Sequence, residues 1–467
     1  METSKEIIAA QATPPGEGAL CVIRVSGSGC LEMMSGIFKP QSKSARFEEM
    51  EPFMLTLGMI VDPVTGEDLD EVTLVKMPAP KSYTGEDMVE ITSHGGRVVP
   101  AAILEVLMRR GARIAEPGEF TRRAFLNGKM DLSRAEAVCD LVSARSELAR
   151  RIALGQLEGE LSKRITDTRE KTLDVMAEIE ARIDFPEEDI ETDRNERLLE
   201  AVNRIEETLL DSKKGARKGL VSREGVRVVL AGRTNVGKSC LFNCLVGKER
   251  ALVTPHPGTT RDFIETTLEI QGVPVTLVDT AGIRNGVGKI EAMGIDVAKK
   301  EIDSAEMILF IVDGSEALNE EDRDVFESVK HKKVAIAVNK SDLEQKTDDE
   351  ELRSFFKESD FQQYVHVSAL KSSGIEALEK ALYNTVLPED DHMEAETPLV
   401  SNLRHLELIE RAIEGVRRVR AGLDRNESED LIAIDLNEIK EALESILGID
   451  AGEDVLDRIF SKFCIGK

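Results

Sequence analysis

Apolar positions along the chain change rhythm three times, and each change predicts a different kind of local structure. In residues 1–127, short runs at 19–25, 69–76 and 88–92 read as strands, and 98–110 carries a helical pattern closed by Gly111. That mixture predicts a compact α+β domain. From about 130 to 218 the apolar residues fall three or four apart, at Leu157, Leu161 and Ile165, then at Leu173, Met176, Ile179 and Ile183. The stripe breaks at Asp184-Phe185-Pro186 and resumes with Leu198, Val202, Ile205 and Leu209. Helices apolar on one side need a partner layer.

The next rhythm consists of buried-strand signals at 226–231, 275–279, 307–313, 334–339 and 364–368, separated by helical or loop segments. Buried strands alternating with helices predict a doubly wound α/β domain. After Pro388 and an acidic linker the helical spacing returns, at Leu403, Leu406, Ile409, Ile413 and Val416, then at Leu436, Ile439, Leu443 and Ile446. The expected organisation is a multidomain α/β and α+β protein: an N-terminal domain at 1–127, a helical domain split between 128–220 and 388–467, and an α/β domain at 221–387 inserted between the halves. One bundle can bury both sets of stripes.

Composition narrows the function classes. At 467 residues the chain has room for about two to four domains. It is 41% hydrophobic and 32% charged, and no apolar run approaches the roughly 18 to 20 residues that span a bilayer. The opening Met1-Glu2-Thr3-Ser4-Lys5-Glu6 has no signal-peptide pattern, and the six cysteines (21, 30, 139, 240, 244, 464) form no C-x-x-C pair. A reduced, cytoplasmic protein without membrane attachment, disulfide framework or thiolate zinc site is expected. A formal charge of −27 excludes a surface that wraps nucleic acid over its whole extent. The basic pairs Arg109-Arg110 and Arg417-Arg418, with Arg420, read as solvated helix faces.

Chemistry concentrates in the α/β segment. Gly232-Arg233-Thr234-Asn235-Val236-Gly237-Lys238-Ser239 fits G-x-x-x-x-G-K-[ST] between a strand and a helical stretch that opens at Cys240. Backbone N–H groups of such a loop wrap phosphate oxygens, the lysine reaches the β- and γ-phosphates, and the Ser239 hydroxyl ligates Mg²⁺. Asp279-Thr280-Ala281-Gly282 ends the next run, placing a carboxylate by the metal and Gly282 where a γ-phosphate is sensed. Asn339-Lys340-Ser341-Asp342 puts a carboxylate at a strand end. Asp342 can accept from guanine N1–H and its exocyclic amine, a donor pair adenine lacks, so the predicted base is guanine. Ser368-Ala369-Leu370 would support the base through a backbone N–H. Between these elements, Gly258-Thr259-Thr260-Arg261-Asp262 occupies the place of a switch loop, with Thr260 as the second hydroxyl expected on Mg²⁺. Ile283 follows Gly282 where Ras-like proteins carry a water-orienting Gln, so hydrolysis needs another arrangement. Five elements in order predict a protein that binds and hydrolyses GTP.

Sequence outside the α/β domain resembles one family, the potassium-activated tRNA-modification GTPases called MnmE or TrmE. The resemblance runs over nearly the whole chain: Ile8-Ala9-Ala10-Gln11-Ala12-Thr13-Pro14-Pro15-Gly16, Arg24-Val25-Ser26-Gly27, Tyr83-Thr84-Gly85-Glu86-Asp87, His94-Gly95-Gly96, Pro117-Gly118-Glu119-Phe120-Thr121, Arg123-Ala124-Phe125-Leu126-Asn127-Gly128-Lys129, the break at Asp184-Phe185-Pro186, and the terminal Phe463-Cys464-Ile465-Gly466-Lys467. It implies a folate-binding N-terminal domain that dimerises, a discontinuous helical domain and an inserted Ras-like G domain. K⁺ would be held by Asn235 and the segment 254–259, with Thr254, His256 and Thr259 contributing, and would supply charge stabilisation otherwise given by an arginine finger. Glu291 would be the water-positioning acid. Arg24, Glu90, Lys129 and Lys467 carry over as contacts to 5-formyl-tetrahydrofolate or a related tetrahydrofolate, and Cys464 as the family's required terminal cysteine. The resemblance further implies a heterotetramer with the FAD-dependent protein MnmG and tRNA as the modified molecule. This chain departs from the family at Thr234, where many relatives have Pro, and at Leu370, where Lys is common. The rival is a ribosome-assembly GTPase of the Era or Der type, which accounts for the α/β segment alone. A third possibility, an N-terminal domain that is an independent folate-dependent transferase, lacks an obvious catalytic set.

Overall fold

The first rhythm folds into a sheet whose short outer strands carry little periodicity of their own. A computed structural model describes residues 6–41, 46–184, 192–248, 264–279, 300–357, 361–387 and 399–467, and all counts refer to these residues. The chain runs β1 (Ile8–Gln11), β2 (Leu20–Ser26), α1 (Cys30–Ser35), β3 (Phe38–Pro40), β4 (Thr56–Val61), β5 (Asp68–Met77), β6 (Met88–His94), α2 (Val98–Arg109) and β7 (Arg113–Ile114). The seven strands order as β3-β4-β5-β6-β2-β1-β7, antiparallel except where β7 lies parallel to β1. Period-two alternation aims Ile23, Val25, Val72, Leu74, Val89 and Ile91 at Ile103, Val106 and Leu107 of α2, closing one core. Register sets Arg24 of β2 directly opposite Glu90 of β6. The sequence pattern marks only β2, β5 and β6, because two- to six-residue strands are too short to show a period.

Helices follow: α3 (Glu119–Leu126), α4 (Leu132–Ser143), α5 (Glu147–Glu158), α6 (Glu160–Asp184), α7 (Thr192–Lys213) and α8 (Ala216–Glu224). The stripe Leu157, Leu161, Ile165 belongs to two helices rather than one, because Gly159 at φ 96° separates α5 from α6. The buried face of α6 also sits differently from the apolar stripe. It comprises Leu161, Ser162, Ile165, Thr168, Thr172, Val175 and Ile179, while Ile183 is exposed. Thr168 and Thr172 enter the core because their hydroxyls donate to the carbonyls of Arg164 and Thr168, at 2.7 and 2.9 Å.

The third rhythm gives β8 (Val226–Ala231), α9 (Lys238–Lys248), β9 (Ile264–Ile270), β10 (Val273–Asp279), β11 (Met307–Asp313), α10 (Glu320–Val329), β12 (Lys333–Asn339), α11 (Asp349–Phe355), β13 (Phe361–His366) and α12 (Ile375–Val386). Six strands order as β13-β12-β11-β8-β10-β9, parallel except for the edge strand β9. One face is covered by Leu241 and Phe242 of α9 with Leu378 and Leu382 of α12, the other by Phe326 of α10 with Leu352 of α11 and Phe356. All seven residues of β11 are buried, as a strand covered on both faces requires.

Three helices close the chain, α13 (Leu403–Arg425), α14 (Glu429–Leu447) and α15 (Glu453–Phe460). Helices on either side of the α/β segment pair with each other. Glu206 of α7 takes Arg417 of α13 at 2.8 Å and also Arg420, so these two arginines stay in contact with solvent, as expected, and are also paired with an acid. Arg169 of α6 meets Glu444 of α14 at 2.7 Å. By contact the chain forms two units: residues 1–142, 156–186 and 433–467, and residues 143–155 with 187–432. Thus α6 belongs with the N-terminal sheet and α7 with the α/β sheet, a division the helical spacing does not foreshadow. No helix among the described residues is long and apolar enough to cross a membrane.

Candidate functional site

Four of the five motifs stand wholly or partly among the described residues, and all of those arise at the carboxyl ends of parallel strands, where doubly wound sheets bind ligands. The phosphate loop leaves β8 and enters α9. Asn235 takes φ 63° and Gly237 φ 97°, and a Cβ on Gly237 would collide with Nδ2 of Asn339. That contact is useful: Asn339 Nδ2 donates to the carbonyl of Val236 at 2.8 Å, and its Oδ1 accepts the Ala369 N–H at 3.1 Å. One side chain therefore joins the phosphate loop, the Asn339-Lys340-Ser341-Asp342 loop and the Ser368-Ala369-Leu370 loop.

Lys238 Nζ donates to the carbonyls of Gly232 and Arg233 at 2.8 and 2.6 Å. Ser239 Oγ donates to Asp279 Oδ2 at 2.6 Å, bringing the two predicted magnesium-side oxygens together. Asp279 is buried and Ser239 exposed, so the pair meets solvent through its Ser239 side. An all-oxygen donor set suits a hard divalent cation. Cys240 and Asn235 are exposed beside them. Asp342 Oδ1 accepts the Ser368 hydroxyl at 2.6 Å, and that bond holds the carboxyl below its ordinary value. Asp342 is thereby kept an acceptor, as recognition of guanine demands. The Leu370 side chain is 80% exposed, so replacing the family's Lys removes no packing. Thr254, His256, Thr259, Thr260, Gly282 and Glu291 lie outside the described residues.

Two acids that the motif search passes over stand at the same edge. Asp313, the last residue of β11, takes Lys340 at 2.5 Å, and Glu316 takes Arg233 of the phosphate loop at 2.5 Å. The available signal was a carboxylate closing an apolar strand next to β12. Thr234 N–H reaches Glu321 Oε1 at 3.5 Å, a bond that a Pro at this position could not make.

The N-terminal candidates meet on the first sheet. Arg24 Nε lies 2.7 Å from Glu90 Oε1, its Nη1 donates to the Gly466 carbonyl at 3.1 Å, and its guanidinium stands 5.7 Å from the Tyr83 ring. The terminal residues reach this place through a bridge between Pro117 and Ile465 and a bond from Phe120 N–H to the Lys467 carbonyl at 3.2 Å. Gly466 at φ 91° packs where a Cβ would strike the Gln11 carbonyl. Burial, then the Arg24 charge, pushes the Lys467 ammonium below its ordinary value. Lys129 stands apart from this cluster in its bonding: its Nζ donates to the Pro80 carbonyl at 2.9 Å. Tyr83, which the sequence marks only as part of a family motif and not as a site residue, joins the cluster: its hydroxyl meets Thr121 at 2.9 Å, and burial pushes its phenol pKa up. Cys464 is exposed, with its carbonyl accepting Gly118 N–H at 3.4 Å. Carboxylate, guanidinium, ammonium and ring together suit a ligand with an amide-like edge and an acidic tail.

The model of the MnmE helical domain matches residues 132–464, and that of the GTP-binding protein TrmE N-terminus matches residues 7–129. A tRNA modification GTPase MnmE of Aquifex aeolicus is 43% identical over 464 residues, covering 99% of this chain and 100% of its own. Another of the same description, from Carboxydothermus hydrogenoformans, is 41% identical over 464 residues, with coverage of 99% and 100%. Among solved structures, the G domain of the T. maritima FeoB iron transporter shares 24% identity over 34% of this chain and 98% of its own, with a TM-score of 0.27.

Proposed function

Because the chain belongs to the MnmE family of tRNA modification GTPases and is itself a GTPase of tRNA modification, we infer that it works with the FAD-dependent protein MnmG to place a carboxymethylaminomethyl or aminomethyl group on carbon 5 of the wobble uridine of certain tRNAs. Full-length similarity favours this over a ribosome-assembly role. A homodimer through the N-terminal domain, joined to MnmG in the cytoplasm, is the working assembly in this reading.

The observation that carries it is the convergence of Arg24 and Gly466, 442 residues apart, beside Glu90 and Lys467. A bare G protein has no use for such a cluster. A tetrahydrofolate would supply the one-carbon unit when bound. Glu90, held by Arg24, would accept from a pterin edge, and Lys467 and Lys129 would face the acidic tail. At the nucleotide, loop N–H groups and Lys238 would hold the phosphates, Asp342 would select guanine, and Ser239 with Thr260 would hold Mg²⁺ near Asp279. Asn235, Thr254, His256 and Thr259 would hold K⁺, with Glu291 orienting the attacking water. The negative charge of this chain leaves most tRNA contact to the partner.

Nucleoside mass spectrometry of tRNA from cells lacking the gene tests the proposal, with unmodified carbon 5 expected at wobble uridines. Normal modification would end it. Turnover is expected to be faster in potassium than in sodium, and equal rates reject the role given to Asn235.

A further inference from the structure

Residues 313–316, Asp313-Gly314-Ser315-Glu316, form none of the five nucleotide elements, yet they bond to two of them. The Asp313 side chain is 2% exposed. Its Oδ2 accepts Lys340 Nζ at 2.5 Å, while Oδ1 accepts both the N–H and the hydroxyl of Ser315, at 3.0 and 2.6 Å. Both oxygens are thus occupied, and the carboxylate is pinned by its own turn. Two further bonds join the same two loops, Gly314 N–H to the Asn339 carbonyl at 2.9 Å and Lys346 N–H to the Gly314 carbonyl at 2.8 Å, while Gln345 Nε2 donates to the Lys340 carbonyl at 3.0 Å within the base-recognition loop. Lys340 is held at φ 64°, a left-handed conformation that a long side chain adopts only when its surroundings impose it.

At the other end of the segment, Glu316 binds Arg233, whose side chain is only 12% exposed and also lies 3.3 Å from Asp322. The Glu316 carbonyl is fixed in turn by the Thr347 hydroxyl at 2.8 Å. Arg233 begins the variable part of the phosphate loop, and Lys340 sits in the base-recognition loop. Loop residues alone would have to hold these long side chains against their rotamer entropy. Buried, doubly bonded Asp313 relieves Lys340 of that through a charge-assisted bond, and exposed Glu316 together with buried Asp322 does the same for Arg233.

We propose that residues 313–316 are a positioning strap for the guanine-nucleotide site, Asp313 fixing Lys340 and Glu316 fixing Arg233, and that this strap sets how long nucleotide stays bound. Neither acid is assigned a contact with nucleotide; each acts through a cation of a loop that does. The proposal depends on the GTPase site alone and is independent of the tRNA chemistry and of potassium.

The test uses the full-length protein and a GDP carrying a methylanthraniloyl fluorophore. In Asp313→Asn, release is expected to accelerate roughly tenfold and KM for GTP to rise by a similar factor, the scale of one lost charge-assisted bond, with kcat at saturating GTP within about twofold of the parent. Glu316→Gln is expected to speed release by roughly threefold, since its partner keeps Asp322. Combining Asp313→Asn with Lys340→Gln must add less than about twofold to the effect of Lys340→Gln alone, because the strap acts through that lysine. Multiplying effects would mean general loosening of the domain and would overturn the proposal, as would unchanged release and KM in a folded Asp313→Asn. Should that variant not fold, Ser315→Ala, which removes one of the two bonds pinning Oδ1, is expected to speed release about two- to threefold. No change there overturns the proposal equally.

Discussion

At the scale of single residues, the nucleotide site depends on groups whose surroundings fix their chemistry. Ser368 keeps Asp342 ionised and aimed, so Asp342→Asn should lower affinity for GTP roughly 100-fold or more, through the loss of two bonds to a charged acceptor. Because Asn both donates and accepts, the same variant should gain affinity for xanthosine triphosphate, whose ring has a carbonyl where guanine has an amine. Titration calorimetry with both nucleotides reads the exchange. Gly237→Ala brings a Cβ onto Asn339 and strains φ 97°, a cost of about 1–3 kcal/mol, so GTP affinity should fall by roughly 5- to 150-fold. Asp313 shows how pH enters. Burial alone would raise its carboxyl, but the bonds from Lys340 and Ser315 outweigh burial and hold it below the ordinary 3.8. Its contribution to stability is therefore present above 3.8 and lost as pH falls through the lower folded value, since the unfolded chain takes up the proton first. Denaturant unfolding as a function of pH should show a shallower acid limb in Asp313→Asn.

At the scale of elements, hydropathy located the strands of the α/β segment well and the faces of the helices less well. β8 and β11 fall where the apolar runs place them, because a strand covered on both sides carries few polar positions, here Arg227 in β8 and Asp313 at the end of β11. On α6 the buried face includes Thr168 and Thr172, which no apolar count includes, because their hydroxyls are satisfied one turn back. The same helix offers a plain test of its core face. Ile179→Ala, at a position with no exposure, should cost about 2–5 kcal/mol in urea unfolding, whereas Ile183→Ala, 38% exposed, should stay within about 0.5 kcal/mol. Equal effects would show that the face is misassigned. β9 escaped detection for the opposite reason: its Glu265, Thr266, Thr267 and Glu269 dilute the apolar signal of an edge strand.

At the scale of the molecule, residues 465–467 join a side-chain cluster that includes Arg24 of β2. Removing residues 464–467 should abolish binding of 5-formyl-tetrahydrofolate to the full-length protein in equilibrium dialysis, while GTP turnover changes less than about twofold, the two sites being built from different cores. Retained folate binding would remove Lys467 from the site. The sequence by itself determined the α/β class, the order of the nucleotide motifs and the guanine preference, because each rests on local residue types: glycines where the backbone must turn tightly, a lysine and hydroxyl for phosphate and metal, a carboxylate for the base. Family resemblance also gave Arg24, Glu90, Lys129 and Lys467 as contacts of one site; the structure joins Arg24 and Glu90 by an ion pair beside Lys467, while Lys129 bonds to the Pro80 carbonyl. Tertiary structure alone decided that Gly159 splits one apparent helix, that Glu206 neutralises Arg417 and Arg420, and that Asp313 and Glu316 brace two loops from outside the motifs. Those outcomes depend on which side chains meet across distant segments, and a carboxylate carries no mark in the sequence of the cation that will find it.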